Sequence, residues 1–547
     1  MVGGIFSVPP TTTGSGHPTT PPAVGSDVLT TAPHTDGTPD DTAATAAAVD
    51  AGLEPQESLP ASSSRSLASR PVPWLLLAGL VALLAPLRGG LGPVRDINDL
   101  YWHLIYGQEL LSGTPIVDAG RGWSFAPVAD TWISTQWLAE LLFGRLEQLG
   151  GVQAMLVYRA VAELATIALL AAVTLVRRPV RAGVWMFTLG AVAVSFTVEE
   201  RSQQVTFLLA PLVGWWAQRL WREGRLPQWW IVLPLIVVWS NMHGGWVILP
   251  VTLGLAALAR LVDHGRRDRS GSLGLLIAAA SALASCVSPS GIDNLLALVR
   301  FSASTTLIIE WQPVVPWSPA AAPLVLLVVT IVIAWARGVV RPSRGEMLLV
   351  LALALFGLVA WRDITPAVLL LCPIVTGTVA RAMGESDPTV EPGQRPPLAR
   401  TALVLGVVGA VIALTLSVRQ APVTDPSVPT HLIDRIATTT TPQRVLDTWN
   451  ISGPILWFGG RPPKVTVVVD GRADRYGASF ITRYDDTLAA RPGWQQQVDQ
   501  LSPTAALLRT DEALAGALVA ERGWVQVSVE GDYVLLHAPD APGWPQA

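Results

Sequence analysis

Arg95-Asp96-Ile97-Asn98-Asp99-Leu100-Tyr101-Trp102-His103 leaves directly from an apolar run at residues 73–91. Two carboxylates and an imidazole therefore sit where a membrane helix meets water. Carboxylates at that depth are costly unless they are paired, hydrated or used. An aromatic-rich segment follows them at once. The stretch reads as the start of an external loop that does chemistry at a membrane surface.

The rest of the chain fits a polytopic membrane protein. Of 547 residues, 50% are hydrophobic and only 14% charged, against about 25% charged in soluble proteins; mean hydropathy is +0.43. A net charge of −4 gives no basis for binding nucleic acid. Cys286 and Cys372 both lie inside apolar runs, so no disulfide framework is expected. Residues 1–70, rich in Thr, Pro, Ala, Ser and Gly, carry too little apolar surface to fold and are expected to form a disordered cytoplasmic tail with no signal peptide.

A span needs roughly 17–25 mostly apolar residues. Eleven candidates result: 73–91, 152–176, 182–198, 203–221, 229–242, 246–262, 272–288, 320–337, 345–361, 364–382 and 401–418. Of these, 229–242 is short. Arginines gather in alternate loops, at 177–181, 219–225, 260–269, 337–344 and 381–400, while 92–151, 199–202, 242–245, 289–319 and 362–363 are poor in them for their length. Positive residues mark the cytoplasmic side. The N-terminus is therefore expected inside and residues 421–547 outside the cell membrane, with 71–420 as the membrane domain.

The outward loops hold the polar clusters: Asp96, Asp99 and His103, then Glu199, Glu200 and Arg201, then His243, Glu310-Trp311 and Arg362. Residues 98–112 and 134–149 read as two helices lying on the membrane surface, with Tyr101, Trp102 and Tyr106 at headgroup level and Gly113 as a stop. Asp99 and His103, four apart, share a face. Asn98 or Asp99 as a helix cap and His103 as a structural hydrogen-bonder stay open beside a catalytic role. Trp123, Trp132 and Trp137 read as interface anchors, and Arg159 with Glu163 as an ion pair inside the bundle.

Beyond residue 430, strand-like runs at 443–447, 464–470, 505–508, 524–529 and 532–537 alternate with helical stretches, giving a small external α/β domain. Asp470 and Arg472 follow a strand end, where such sheets bind ligands; an acceptor contact and a pair pinning a turn are both open.

Taken in order, Asp99-Leu-Tyr-Trp-His103, Gln136-Trp137-Leu-Ala-Glu140, Arg201-Ser-Gln203, Trp239-Ser-Asn241-Met-His243-Gly244, Ser288-Pro289-Ser-Gly291, Glu310-Trp311 and Asp470-Gly471-Arg472 resemble the GT-C superfamily of integral-membrane glycosyltransferases, in particular uncharacterised bacterial members. The resemblance covers roughly residues 73–540. Its departure lies in the acids, which are separated as Asp96-Ile-Asn-Asp99 where many members pair them more closely. The resemblance implies a sugar donor on polyprenyl phosphate and a glycan, lipid or protein acceptor. Asp99 or Asp96 would act as base with His103 beside it. Arg201, Arg362 and His243 would meet the lipid phosphate; lipid snorkelling is the plainer use of each arginine. Glu310, Trp311, Asp470 and Arg472 would gate the site or meet the acceptor. No cofactor is demanded, and a divalent cation (Mg or Mn) bridging carboxylate and phosphate is compatible with it. A lipid or glycan transporter, or a non-catalytic envelope scaffold, are the competing readings; a transporter would place its polar groups near the midplane and often show repeats.

Overall fold

The structure, a computed structural model, describes residues 71–90, 94–95, 98–128, 132–175, 180–300, 309–337, 341–385 and 427–544, together with 404, 406–412, 415 and 425. The expected tail at 1–70, half of the span expected at 401–418, and Asp96 lie outside the described residues.

Every expected span from 73–91 to 364–382 falls on a helix. These are α1 (Pro71–Gly90), α4 (Gln153–Thr174), α5 (Val180–Thr197), α6 (Gln204–Glu223), α7 (Trp229–Ser240), α8 (Ile248–His264), α9 (Arg269–Ala284), α11 (Ala322–Ala336), α12 (Arg344–Val359) and α13 (Ile364–Ala382). Between them lie α2 (Asp99–Leu111), α3 (Trp137–Gly150) and α10 (Asp293–Arg300). Among the described residues, four helical stretches are long and apolar enough to cross a membrane: Gln153–Thr174, Gly244–His264, Pro319–Ala336 and Trp361–Ala382. The last, apolar on every side, is the bundle's centre and packs on α5, α6, α11 and α12. Its approach to α6 depends on Gly214, where a Cβ would collide with the Leu370 carbonyl.

The helix α2 departs from the expected surface helix. Residues 100–107 are all buried. Trp102, Ile105 and Tyr106 pack into one core with Ile433, Val445, Ile455 and Val467 of the C-terminal region. Leu100, Tyr101 and Leu104 pack into another with Phe143, Met155 and Leu156. Apolar groups on all faces require burial on all faces. Gly107 and Gly144 make this possible: a Cβ at either would strike the other helix's backbone, so α2 and α3 meet backbone to backbone.

Residues 427–544 form a five-stranded sheet ordered β2-β1-β3-β5-β4, with β1 (Gln443–Asp447), β2 (Val465–Val467), β3 (Ala505–Arg509), β4 (Val525–Glu530) and β5 (Tyr533–His537). The β1 strand pairs parallel with β2 and β3, and β5 runs antiparallel to β3 and β4. Helices α14 (Thr430–Ala437), α15 (Ser452–Phe458), α16 (Ala473–Tyr476), α17 (Ala478–Leu488), α18 (Trp494–Leu501) and α19 (Ala513–Arg522) complete it. The first loop closes the β2 edge. Val467 N donates to Trp123 O and Phe125 N to Val467 O, both at 3.0 Å, with Ser124 bridging Val467 in parallel. An otherwise open edge is thereby covered.

Candidate functional site at the mouth of the bundle

The site begins at the first residue of α2. Asn98 stands at the N-cap position without a capping bond; its Oδ1 instead accepts from Ser452 Oγ (2.8 Å) and Gly453 N (2.9 Å) at the start of α15. This holds the α/β region against the entry of α2 and fixes the orientation of Asp99. Asp99 Oδ1 accepts from Trp102 Nε1 at 3.2 Å, and its Oδ2 lies 3.0 Å from Arg201 Nη2.

Arg201 is the hub. It sits in the turn between α5 and α6, its carbonyl held by the Tyr158 hydroxyl at 3.1 Å. Its guanidinium reaches Asp99, Glu310 Oε1 at 2.5 Å and Glu199 Oε2 at 3.6 Å. Glu310 arrives on the short turn Ile309–Trp311, which packs on Trp361–Asp363; there the Arg362 guanidinium lies 4.4 Å from the Trp311 ring centre. Arg362 is within electrostatic reach of Glu310, Arg201 and Asp99.

His243 lies within electrostatic reach of Arg201 and Arg362. Its Nδ1 accepts the Gly245 N–H at 3.0 Å and lies 2.7 Å from Thr206 Oγ1, to which Trp239 Nε1 donates at 3.1 Å. An Nδ1 that accepts leaves the proton on Nε2. Burial pushes the imidazole pKa down to about 3, and Arg362 and Arg201 nearby act in the same direction. His243 is therefore a neutral donor, not a cation. The neighbouring Asn241 Oδ1 accepts from Trp137 Nε1 at 2.7 Å, and Ser202 Oγ donates to Gln136 Oε1 at 2.5 Å. Segments distant in sequence are thus tied to one another around Arg201.

Asp99, Arg201, His243, Glu310, Trp311 and Arg362 are brought together. His103 is engaged by the neighbouring helix and stays within electrostatic reach of His243. It is buried, 3.1 Å from Glu140 Oε1, and stacked at 3.6 Å on Trp102, so it ties α2 to α3. Asp470 and Arg472 are also turned inward. Arg472 Nη2 lies 2.6 Å from Asp470 Oδ2, its Nη1 donates to Gly120 O at 2.8 Å, and its guanidinium stands 4.7 Å from the centre of the Trp123 ring. Burial raises the Asp470 pKa, but the Arg472 charge and its hydrogen bonds outweigh this and hold it below the ordinary carboxylate value. The pair pins the sheet to the first loop.

Two further expectations are corrected. Arg159 forms its ion pair with Glu200 and not with Glu163; the turn places Glu200 against Arg159, while Glu163 stays within electrostatic reach of it. The tryptophans expected as interface anchors are clasps within the protein: Trp123 Nε1 donates to Glu109 (2.8 Å), Trp132 Nε1 to Asp474 (3.0 Å) and Trp137 Nε1 to Asn241. Sequence reasoning missed Thr206 and Gly245 as the groups that set the His243 tautomer; the Gly pair at 244–245 was the available signal. Among the described residues, no three His, Cys, Asp or Glu side chains gather where a metal ion would sit. The nearby carboxylates converge on the Arg201 guanidinium instead.

No protein-family model matches the sequence, and no curated protein does. Solved structures match in fold. ArnT from Cupriavidus metallidurans in the apo state superposes with a TM-score of 0.50 at 14% identity, over 87% of this chain and 99% of that one. The apo oligosaccharyltransferase of Archaeoglobus fulgidus gives 0.49 at 12% identity, over 86% and 75%. The arabinofuranosyltransferase AftD from mycobacteria gives 0.45 at 16%, over 85% and 41%. The chain is a helical membrane protein with a C-terminal α/β sheet. Its fold is similar to that of ArnT from Cupriavidus metallidurans.

Proposed function

We propose that the protein is a membrane glycosyltransferase that moves a sugar from a polyprenyl-phosphate donor to an acceptor at the outer face of the cell membrane. The observation that carries this reading is the Asp99–Arg201 pair, at 3.0 Å, assembled from the first external loop and the α5–α6 turn. Asp99 takes the acceptor hydroxyl proton as that oxygen bonds to the anomeric carbon, and the bond from that carbon to the phosphate oxygen breaks. Arg201 and Arg362 meet the charge left on the lipid phosphate, and His243 supplies a neutral Nε2–H donor. His103 positions α2 through Glu140. Asp96 is the alternative base.

In this reading the Glu310 carboxylate stands on Arg201 where the donor phosphate would bind. A carboxylate on a guanidinium is the geometry a phosphate oxygen would adopt, so donor entry displaces Glu310 with its neighbour Trp311. An apolar cleft of about 510 Å³ beside Asn241, walled by Trp137, Leu138, Val237, Val238 and Val287, suits an isoprenoid segment of the donor. In this reading, residues 71–420 form the membrane domain, with eleven spans and the N-terminus cytoplasmic. Residues 421–547 form the external domain. Reporter fusions after residues 180, 223, 266 and 340 should then read cytoplasm, and after 120, 300 and 430 exterior; an external signal at 266 contradicts the topology. Turnover of polyprenyl-phosphate sugars by purified protein in bilayer discs tests the reaction, and its absence across donors of all common sugars contradicts it.

A further inference from the structure

Arg201 is also the inner wall of a second cleft, of about 290 Å³, that opens between the mouth of the bundle and the α/β sheet. Its polar lining is Asn98, Ser427, Asn450 and Tyr533, and Val428 and Ile451 supply two apolar patches. Asn450 follows β1, and Tyr533 begins β5 opposite Arg509, the last residue of β3. The cleft therefore lies at the carboxyl ends of the parallel strands β1 and β3, where open α/β sheets bind ligands. The bonds from Ser452 and Gly453 to Asn98 fix this wall to the start of α2.

We infer that this cleft is the acceptor subsite and that the acceptor it takes is a neutral saccharide. The inference rests on Asp99 as the base of a glycosyl transfer. Three observations carry it. The volume falls at the lower edge of small-molecule sites, roughly 300–1,000 Å³, which admits a sugar ring and excludes a lipid chain. Apart from Arg201, whose charge Asp99, Glu199 and Glu310 already meet, the lining combines amide, hydroxyl and phenol groups with one aromatic ring, which matches a polyhydroxylated ring without charge. The inner end is one side chain from the base, because Arg201 touches Asp99 at 3.0 Å. A hydroxyl entering there gives its proton to Asp99 while its oxygen bonds to the anomeric carbon. The electron pair of the broken carbon–oxygen bond leaves on the lipid phosphate.

The test uses the full chain in phosphatidylethanolamine–phosphatidylglycerol discs. Methyl glycosides of glucose, mannose, galactose and arabinose are probed by saturation-transfer NMR, and the matching octyl glycosides serve as acceptors for polyprenyl-phosphate sugars. Asn450 is exposed in a turn, so Asn450→Ala removes one hydrogen-bonding group and Asn450→Trp fills the cleft with little risk to folding. Thr482→Ala, on the exposed face of α17, is the control. We expect at least one glycoside to bind wild type and T482A and to lose its signal in N450W. In N450A the acceptor KM should rise on the order of tenfold, the loss of about one hydrogen bond, with a smaller change in kcat. Glycoside transfer indifferent to both Asn450 substitutions overturns the cleft and leaves the transferase reading intact. Saccharide binding lost in N450W, without transfer from any donor, overturns the transferase reading and the acceptor role with it.

Discussion

Two arginine–carboxylate contacts in this protein use the same groups in opposite ways. At Asp470–Arg472 the side chains are 0% and 1% exposed. The arginine there is engaged by Gly120 and stands over Trp123, so the pair holds the α/β sheet on the first loop. At Asp99–Arg201–Glu310 the side chains are 25%, 21% and 42% exposed. That arginine serves carboxylates from three segments, all of them partly open to solvent. Water access separates a fastening from a binding site. A buried pair broken on one side leaves a charge without a partner, whereas a half-exposed pair can exchange partners at small cost.

The largest effect on stability should therefore come from the clamp. Arg472→Met is expected to destabilise the protein by about 3–5 kcal/mol, read as loss of the thermal transition in detergent. Asp470→Asn combined with R472M should recover most of it. A double variant no more stable than R472M would show that the clamp works through packing and not through charge.

The imidazole sharpens the comparison from the site's side. With its pKa lowered from 6.5 to about 3, folded His243 binds fewer protons than the unfolded chain across that window. Its contribution to stability is full above pH 6.5 and is lost as pH falls toward 3. The slope is at most about 1.4 kcal/mol per pH unit. His243→Asn should flatten this part of the stability–pH curve, and an unchanged slope would mean that His243 does not carry it.

The smallest effect belongs to Glu310. If it stands in for phosphate, Glu310→Gln should lower the donor KM several-fold, on the order of 1 kcal/mol, as expected for a half-exposed ion pair. A raised KM would make Glu310 a donor ligand instead.

Much of the membrane body was legible because an apolar run of span length has few other uses in a chain this poor in charge. The ordered polar tokens at the loops expected to face outward include Arg201, Glu310 and Arg362, which the fold sets within ionic or electrostatic reach of one another and of Asp99. What was not legible is tertiary. Arg159 and Glu163 are neighbours on a helix, but Glu200, forty-one residues past Arg159, is the partner that the fold delivers. The α2 helix was read as a surface helix although Leu100, Tyr101, Trp102, Leu104, Ile105 and Tyr106 crowd it with large apolar groups beyond the Asp99–His103 side, and that pattern signals burial. Asn450 and Tyr533 carry no pattern at all; only the sheet topology places them beside Arg201.

The central claim is that Asp99 is the base. It is tested most directly by Asp99→Asn, which keeps the size of the side chain and its acceptor for Trp102 Nε1 while removing the proton-accepting carboxylate. In purified protein supplied with a polyprenyl-phosphate sugar, the variant should bind the donor and melt like wild type while turnover falls by roughly a hundredfold to ten-thousandfold. Wild-type turnover in D99N would contradict the account.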